Sequence, residues 1–128
     1  MTMTFHADAL HIERTPVHVI LGLATEGAVP KRHIVMMRTL DDDDAPGHVL
    51  TAEPYFEVSG PETSGYGCLT TVTFGPSHIE IICNTRRCPR LQEDTYRIEF
   101  GHAVTTRWEE IREALGAIVD APRLVITE

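Results

Sequence analysis

From Tyr66 to Asn84, apolar and polar positions alternate through two runs separated by Gly75-Pro76-Ser77. In the first run Cys68, Thr70, Val72 and Phe74 share one side, and Leu69, Thr71 and Thr73 the other. In the second, Ile79, Ile81 and Cys83 alternate with Glu80, Ile82 and Asn84. A period of two with β-branched residues marks a half-buried strand, and the Gly-Pro-Ser break is where the chain reverses. The pattern predicts a central hairpin with Val72, Phe74, Ile79 and Ile81 facing a core, because a slip of one residue would turn all four to water.

The same reading extends to the rest of the chain. Thr4 to Glu13 reads as a strand whose apolar residues are split between its two sides, so its core face is left open. After the Arg14-Thr15-Pro16 break, Val17 to Ala24 is a strand with Val17, Val19, Leu21 and Leu23 inward. Thr25 to Pro30 is a loop. In the strand Arg32 to Leu40, Ile34, Met36 and Leu40 alternate with His33, Val35 and Met37, which predicts cover on both faces. His48 to Glu53 is either a short helix or an irregular connection, and Tyr55 to Ser59 is a short strand. Gly60 to Gly65 is a loop, Thr85 to Asp94 is irregular, and Thr95 to Phe100 is a strand with Tyr96, Ile98 and Phe100 inward.

The apolar period changes once, at Arg107 to Val119, where Trp108, Ile111, Leu115, Ile118 and Val119 form a helical stripe. Thr106 and Glu109 have the spacing of a capping box, and the Asp120-Ala121-Pro122 sequence ends the helix. Leu124 to Thr127 is a last edge strand. The predicted fold class is α+β: one antiparallel sheet of six to eight strands with a C-terminal helix packed on one face. Residues 1–128 are read as a single domain.

Charge changes this picture in one respect. A net charge of -8 disfavours nucleic acid and anionic membrane as partners. An acidic surface can instead steer a basic protein. The acidic residues concentrate in Asp41, Asp42, Asp43 and Asp44, followed by Glu53, Glu57 and Glu62. Either they are a solvated face or they meet basic residues of another protein. No apolar run is long enough to span a bilayer and the N-terminus lacks a secretory pattern, so the expected location is cytoplasmic. Three cysteines, an odd number, then argue for reduced thiols.

Candidate chemistry is sparse. His6, Asp8 and His11 lack a further ligand, and His11 points away from His6 in a regular strand. Cys83 and Cys88, with His78 and His102, lack the tight paired spacing of a zinc site. Arg86, Arg87 and Arg90 around Cys88 would favour its thiolate, but no positioned base or oxyanion donor is recognisable. Gly65-Tyr66-Gly67 opens a strand and not a helix, so it reads as a turn with close backbone approach and not as a phosphate loop. No catalytic residue, metal or cofactor is expected.

The order of elements resembles the tenth immunity-protein family of bacterial polymorphic toxin systems. The similar features are HIVMMRTL with its acidic connector, the strand YFEVSG, the pair Tyr66-Gly67 opening a hairpin, a Tyr-Arg-Ile strand, and a helix closing on Leu115 and Ile118. They span His6 to Asp120. Family members often carry a second glycine where this chain has Cys68. The resemblance implies a non-enzymatic protein that binds and occludes a cognate toxin. Whether the chain is a monomer or a homodimer is left open, and a homodimeric structural module paired through an edge strand is a further alternative. The competing expectation is a small enzyme or ligand-binding protein with a pocket between sheet and helix.

Overall fold

Asp8 divides the N-terminal segment between two sheets. The computed structural model describes residues 2–25, 32–39 and 53–127. Before Asp8, β1 (Thr2–Ala7) runs parallel to β9 (Thr95–Phe100); after it, β2 (Ala9–Arg14) runs antiparallel to β3 (His18–Ala24). Phe5 and Ala7 are buried on the first side of the crossing, and Leu10 and Ile12 pack on the core on the other. The apolar positions therefore change from odd to even numbers, which is why a single strand could not be assigned one core face. Backbone bonds fasten the corner: the Gly101 amide donates to the Ala7 carbonyl at 2.8 Å, and the Asp8 amide to that of Ala24 at 2.9 Å.

Ten strands are present among the described residues, in two sheets of five and not in one sheet of six to eight. The first sheet has the order β1-β9-β8-β7-β10, with β7 (Leu69–Phe74), β8 (His78–Cys83) and β10 (Leu124–Ile126). The β7–β8 hairpin is as the alternation predicts, pairing Val72 with Ile81 and Phe74 with Ile79. An irregularity between Leu69 and Thr71 leaves Leu69 buried and Thr70 exposed, so the expected row through Cys68 and Thr70 is broken there. The sheet is mixed: β1 and β10 are parallel edge strands, reached by long connections through the second sheet and the helix.

The second sheet is antiparallel throughout, in the order β2-β3-β4-β5-β6. Its remaining strands are β4 (His33–Thr39), β5 (Tyr55–Val58) and β6 (Ser64–Tyr66). Strand β6 falls where a loop was expected, because three residues are too few to show a period. Val17 does not face the core. It is 50% exposed at the tip of a turn in which the Thr15 hydroxyl accepts from the Val17 and His18 amides. Residues 26–31 and 40–52 lie outside the described residues, and with them most of the Thr25–Pro30 loop, Leu40, Asp41 to Asp44 and the segment from His48 to Ala52.

The sheets meet through aromatic side chains. Phe56 of the second sheet lies edge-on to Tyr96 of the first, with ring centroids 5.5 Å apart. Helix α2 (Trp108–Ile118) packs Ile111, Ala114, Leu115 and Ile118 into the same core, against β3 with β2 and β4 beside it. Trp108 stacks on Phe74 at 4.7 Å and donates its indole N–H to the Gly75 carbonyl at 2.8 Å. The expected capping box does not form. Thr106 ends a preceding turn, α1 (His102–Thr105), in helical geometry and donates to the Ala103 carbonyl, whereas an N-cap needs extended backbone. Arg38 closes the other end of α2, donating to the Ile118 carbonyl at 3.1 Å and to Asp120 at 2.7 Å.

Replacing Phe74 with Ala removes a fully buried ring that touches both Trp108 and Phe100. Urea denaturation should show a loss of about 3–5 kcal/mol. Ile82→Ala, at an exposed position of the adjacent strand, should fall within about 1 kcal/mol of the parent.

Candidate functional site

Beyond β8 the chain turns on Asn84. Its side-chain oxygen accepts from the Arg86 and Arg87 amides at 3.1 and 3.2 Å, and its carbonyl accepts from the Cys88 amide at 3.1 Å. These bonds fold the basic loop back toward β6. Leu91 is buried and anchors the far end. A disulfide between Cys68 and Cys88, Cα atoms 5.8 Å apart, fixes the loop to the β6–β7 connection. The expectation of reduced thiols is overturned: an odd count is equally one bond plus one free thiol, and the pair is brought together only by the fold. Cys88 is therefore not a thiolate nucleophile, and its arginines border a closed bond.

Two glycines make this closure feasible. A side chain at Gly65 would come within 2.7 Å of both sulfurs, and one at Gly67 would collide with Glu53 and Arg87. Gly67 also has φ +68, a conformation that favours glycine. The close approach anticipated at Gly65-Tyr66-Gly67 is thus an approach to a disulfide and an ion pair.

Between β6 and the loop lies an open cleft of about 480 Å³, walled by Tyr55, Tyr66, Glu53, Arg87, Pro89 and Arg90. The rings of Tyr55 and Tyr66 are 5.2 Å apart and tilted by 53°. Tyr55 donates to Glu57 at 2.6 Å. Burial, then this bond to a carboxylate, raises the phenol above its ordinary value, so Tyr55 remains a neutral donor at physiological pH. Arg87 is ion-paired with Glu53. Arg90 lines the cleft, is exposed, and has no partner among the described residues.

The cleft continues into the outer face of the second sheet. Cross-strand register aligns Ile20 with Met37, Met37 with Tyr55, and Tyr55 with Tyr66, a half-buried apolar row across four strands. A smaller hollow of about 270 Å³ lies beside this row around Gly22 and Val35.

Three of the acidic residues singled out from the sequence are placed among the described residues. Glu53 is held by Arg87, Glu57 by Tyr55 with His33 at 3.4 Å, and Glu62 is exposed in the β5–β6 turn; Asp41, Asp42, Asp43 and Asp44 lie outside the described residues. Sequence reasoning missed Tyr55, and singled out Arg87 and Arg90 only as neighbours of a supposed Cys88 thiolate and not as cleft residues. His6 and Asp8 pair at 3.1 Å, and Glu13 accepts from His18 at 2.6 Å, which lowers the Glu13 carboxyl. Among the described residues no three His, Cys, Asp or Glu side chains converge as metal ligands. No described helix is long and apolar enough to cross a membrane. The space between sheet and helix is filled by the buried α2 residues. No family model matches the chain, nor does any curated protein or solved structure.

Cys83 is the remaining thiol, 5% exposed and pushed up to about 12 by burial, with the Asp94 charge adding to the shift. A thiol-reactive chromophore should therefore label none of the three cysteines in the native protein, one after unfolding in denaturant, and three after reduction. Labelling of native Cys83 within minutes would contradict this burial. Replacing both Cys68 and Cys88 with Ala frees a loop of 20 residues. In urea under oxidising conditions this should cost about 3 kcal/mol.

Proposed function

We propose that this chain binds and neutralises a cognate bacterial protein toxin by occluding it, and catalyses no reaction itself. The observation that carries the reading is the row Ile20, Met37, Tyr55 and Tyr66 ending at the arginines of the 84–91 loop. Tyrosine and arginine dominate the energetics of protein interfaces, because each combines a large contact area with a directed polar group. A flat apolar row beside such anchors suits a protein surface better than a small substrate, which needs an enclosing cavity. Resemblance to an immunity-protein family supplies the identity of the partner class.

The net charge of -8 argues for a basic partner and against nucleic acid or an anionic membrane. Asp41 to Asp44 are the residues we assign to long-range steering, which raises the rate of encounter more than the final affinity. The cytoplasmic setting was expected from the lack of a bilayer-spanning run and of a secretory pattern, whereas the Cys68–Cys88 bond favours a more oxidising compartment.

Growth rescue tests the proposal directly. Cells expressing the toxin domain encoded beside this chain should grow when the protein is co-expressed in the same compartment, and Tyr66→Ala should weaken protection. Removing a central aromatic anchor should raise the dissociation constant by roughly thirtyfold or more, equivalent to about 2 kcal/mol. Death of cells that hold abundant, folded wild-type protein would refute neutralisation.

A further inference from the structure

We infer that the cleft between β6 and the 84–91 loop receives a carboxylate side chain from a partner polypeptide, held by Arg90 and packed against Tyr66. This rests on the reading of the chain as a protein binder and names the chemistry of one contact within it.

The argument begins with local charge. The chain as a whole carries -8, yet the cleft sets two guanidinium groups, Arg87 and Arg90, against the single carboxylate of Glu53. Glu53 is already committed to Arg87. That pair is also positioned from both sides: Asn84 holds the Arg87 backbone, and Gly67 leaves room for both charged heads. Arg90 is thus the surplus cation of the site, with its donor fork unused by the described residues. An isolated cationic spot on an acidic protein attracts an anionic group at short range, while the wider field repels polyanions.

The shape of the donor narrows the anion. One unpaired guanidinium presents one bidentate fork, which matches the two oxygens of a carboxylate. Phosphate recognition ordinarily gathers several arginines, and here the neighbouring Arg87 is neutralised. The walls narrow it further. Tyr55 and Tyr66 offer ring surface beside the charge, so an acidic residue with an apolar neighbour satisfies the cleft along its length. Because Tyr55 and Tyr66 also end the apolar row of the second sheet, the entering group continues onto a broad face, as a side chain of a protein does and a small metabolite does not. The cleft is preformed: disulfide, Asn84 and buried Leu91 hold its loop wall before any partner arrives, which reduces the ordering cost of binding.

The test uses two capped peptides, acetyl-Gly-Phe-Glu-Gly-amide and its Gln analogue, titrated into the isotopically labelled, oxidised protein and followed by NMR. The Glu peptide should shift the Gly65, Gly67 and Arg90 signals with millimolar affinity and bind about tenfold more tightly than the Gln peptide, the loss expected for one charge-assisted pair. Arg90→Gln should reduce the Glu peptide to the Gln level, whereas Arg123→Gln, at an exposed position on the turn before β10, should change nothing. Equal affinity for the two peptides, shifts away from the cleft, or no binding by the folded protein would each overturn the inference. Toxin neutralisation without Glu-selective binding would sink the cleft assignment and leave the proposed function standing. Glu-selective binding without neutralisation would do the reverse.

Discussion

Trp108 lies flat on Phe74, and through that contact the helix is joined to the first sheet while its buried stripe packs on the second. Two open five-stranded sheets cannot each bury one face unless something fills the space between them. Here the filling comes from Phe56 against Tyr96, from Phe74 with Phe100 and Trp108, and from the aliphatic face of α2. The Trp108 indole N–H is satisfied by the carbonyl of Gly75 in the β7–β8 turn. One interaction therefore sets the height of the helix and holds the turn of the central hairpin.

Rigidity of this interior is what allows the cleft to be built from loops. The β6 strand is only three residues long, and the 84–91 segment has no ladder of its own. Each is held by a specific device: β6 by pairing with β5, the loop by Asn84 and by the bond from Cys88 to Cys68. The Cys68–Cys88 bond fastens this corner by covalent linkage. The fastening brings arginine, tyrosine and glutamate side chains from three separate segments to one opening.

Strands whose inward rows are regular could be read directly. The β7–β8 hairpin, β9 and the apolar stripe of α2 follow from alternation and helical period, because the cost of exposing Val72, Phe74, Ile98 or Ile111 is a local property of each segment. Local chemistry misleads where a neighbour competes. Thr106 has the right side chain for an N-cap but is claimed by the preceding turn, and Val17 has the right side chain for a core but falls at a hairpin tip. Of the candidate site, the sequence revealed the glycines and an aromatic at its edge and drew attention to carboxylates, two of which turn out to be engaged internally.

By itself the sequence determined most of the elements, the buried sides of those with a regular period, and an acidic composition, since periodicity and charge are carried by neighbouring residues. Tertiary structure decided how the elements are partitioned between two sheets, which cysteines join, and where Arg90 stands relative to Tyr66. Those depend on contacts between segments far apart in the chain. The crossing at Asp8 shows the reason: a single residue moves the strand to a different partner sheet, and no local pattern names the partner.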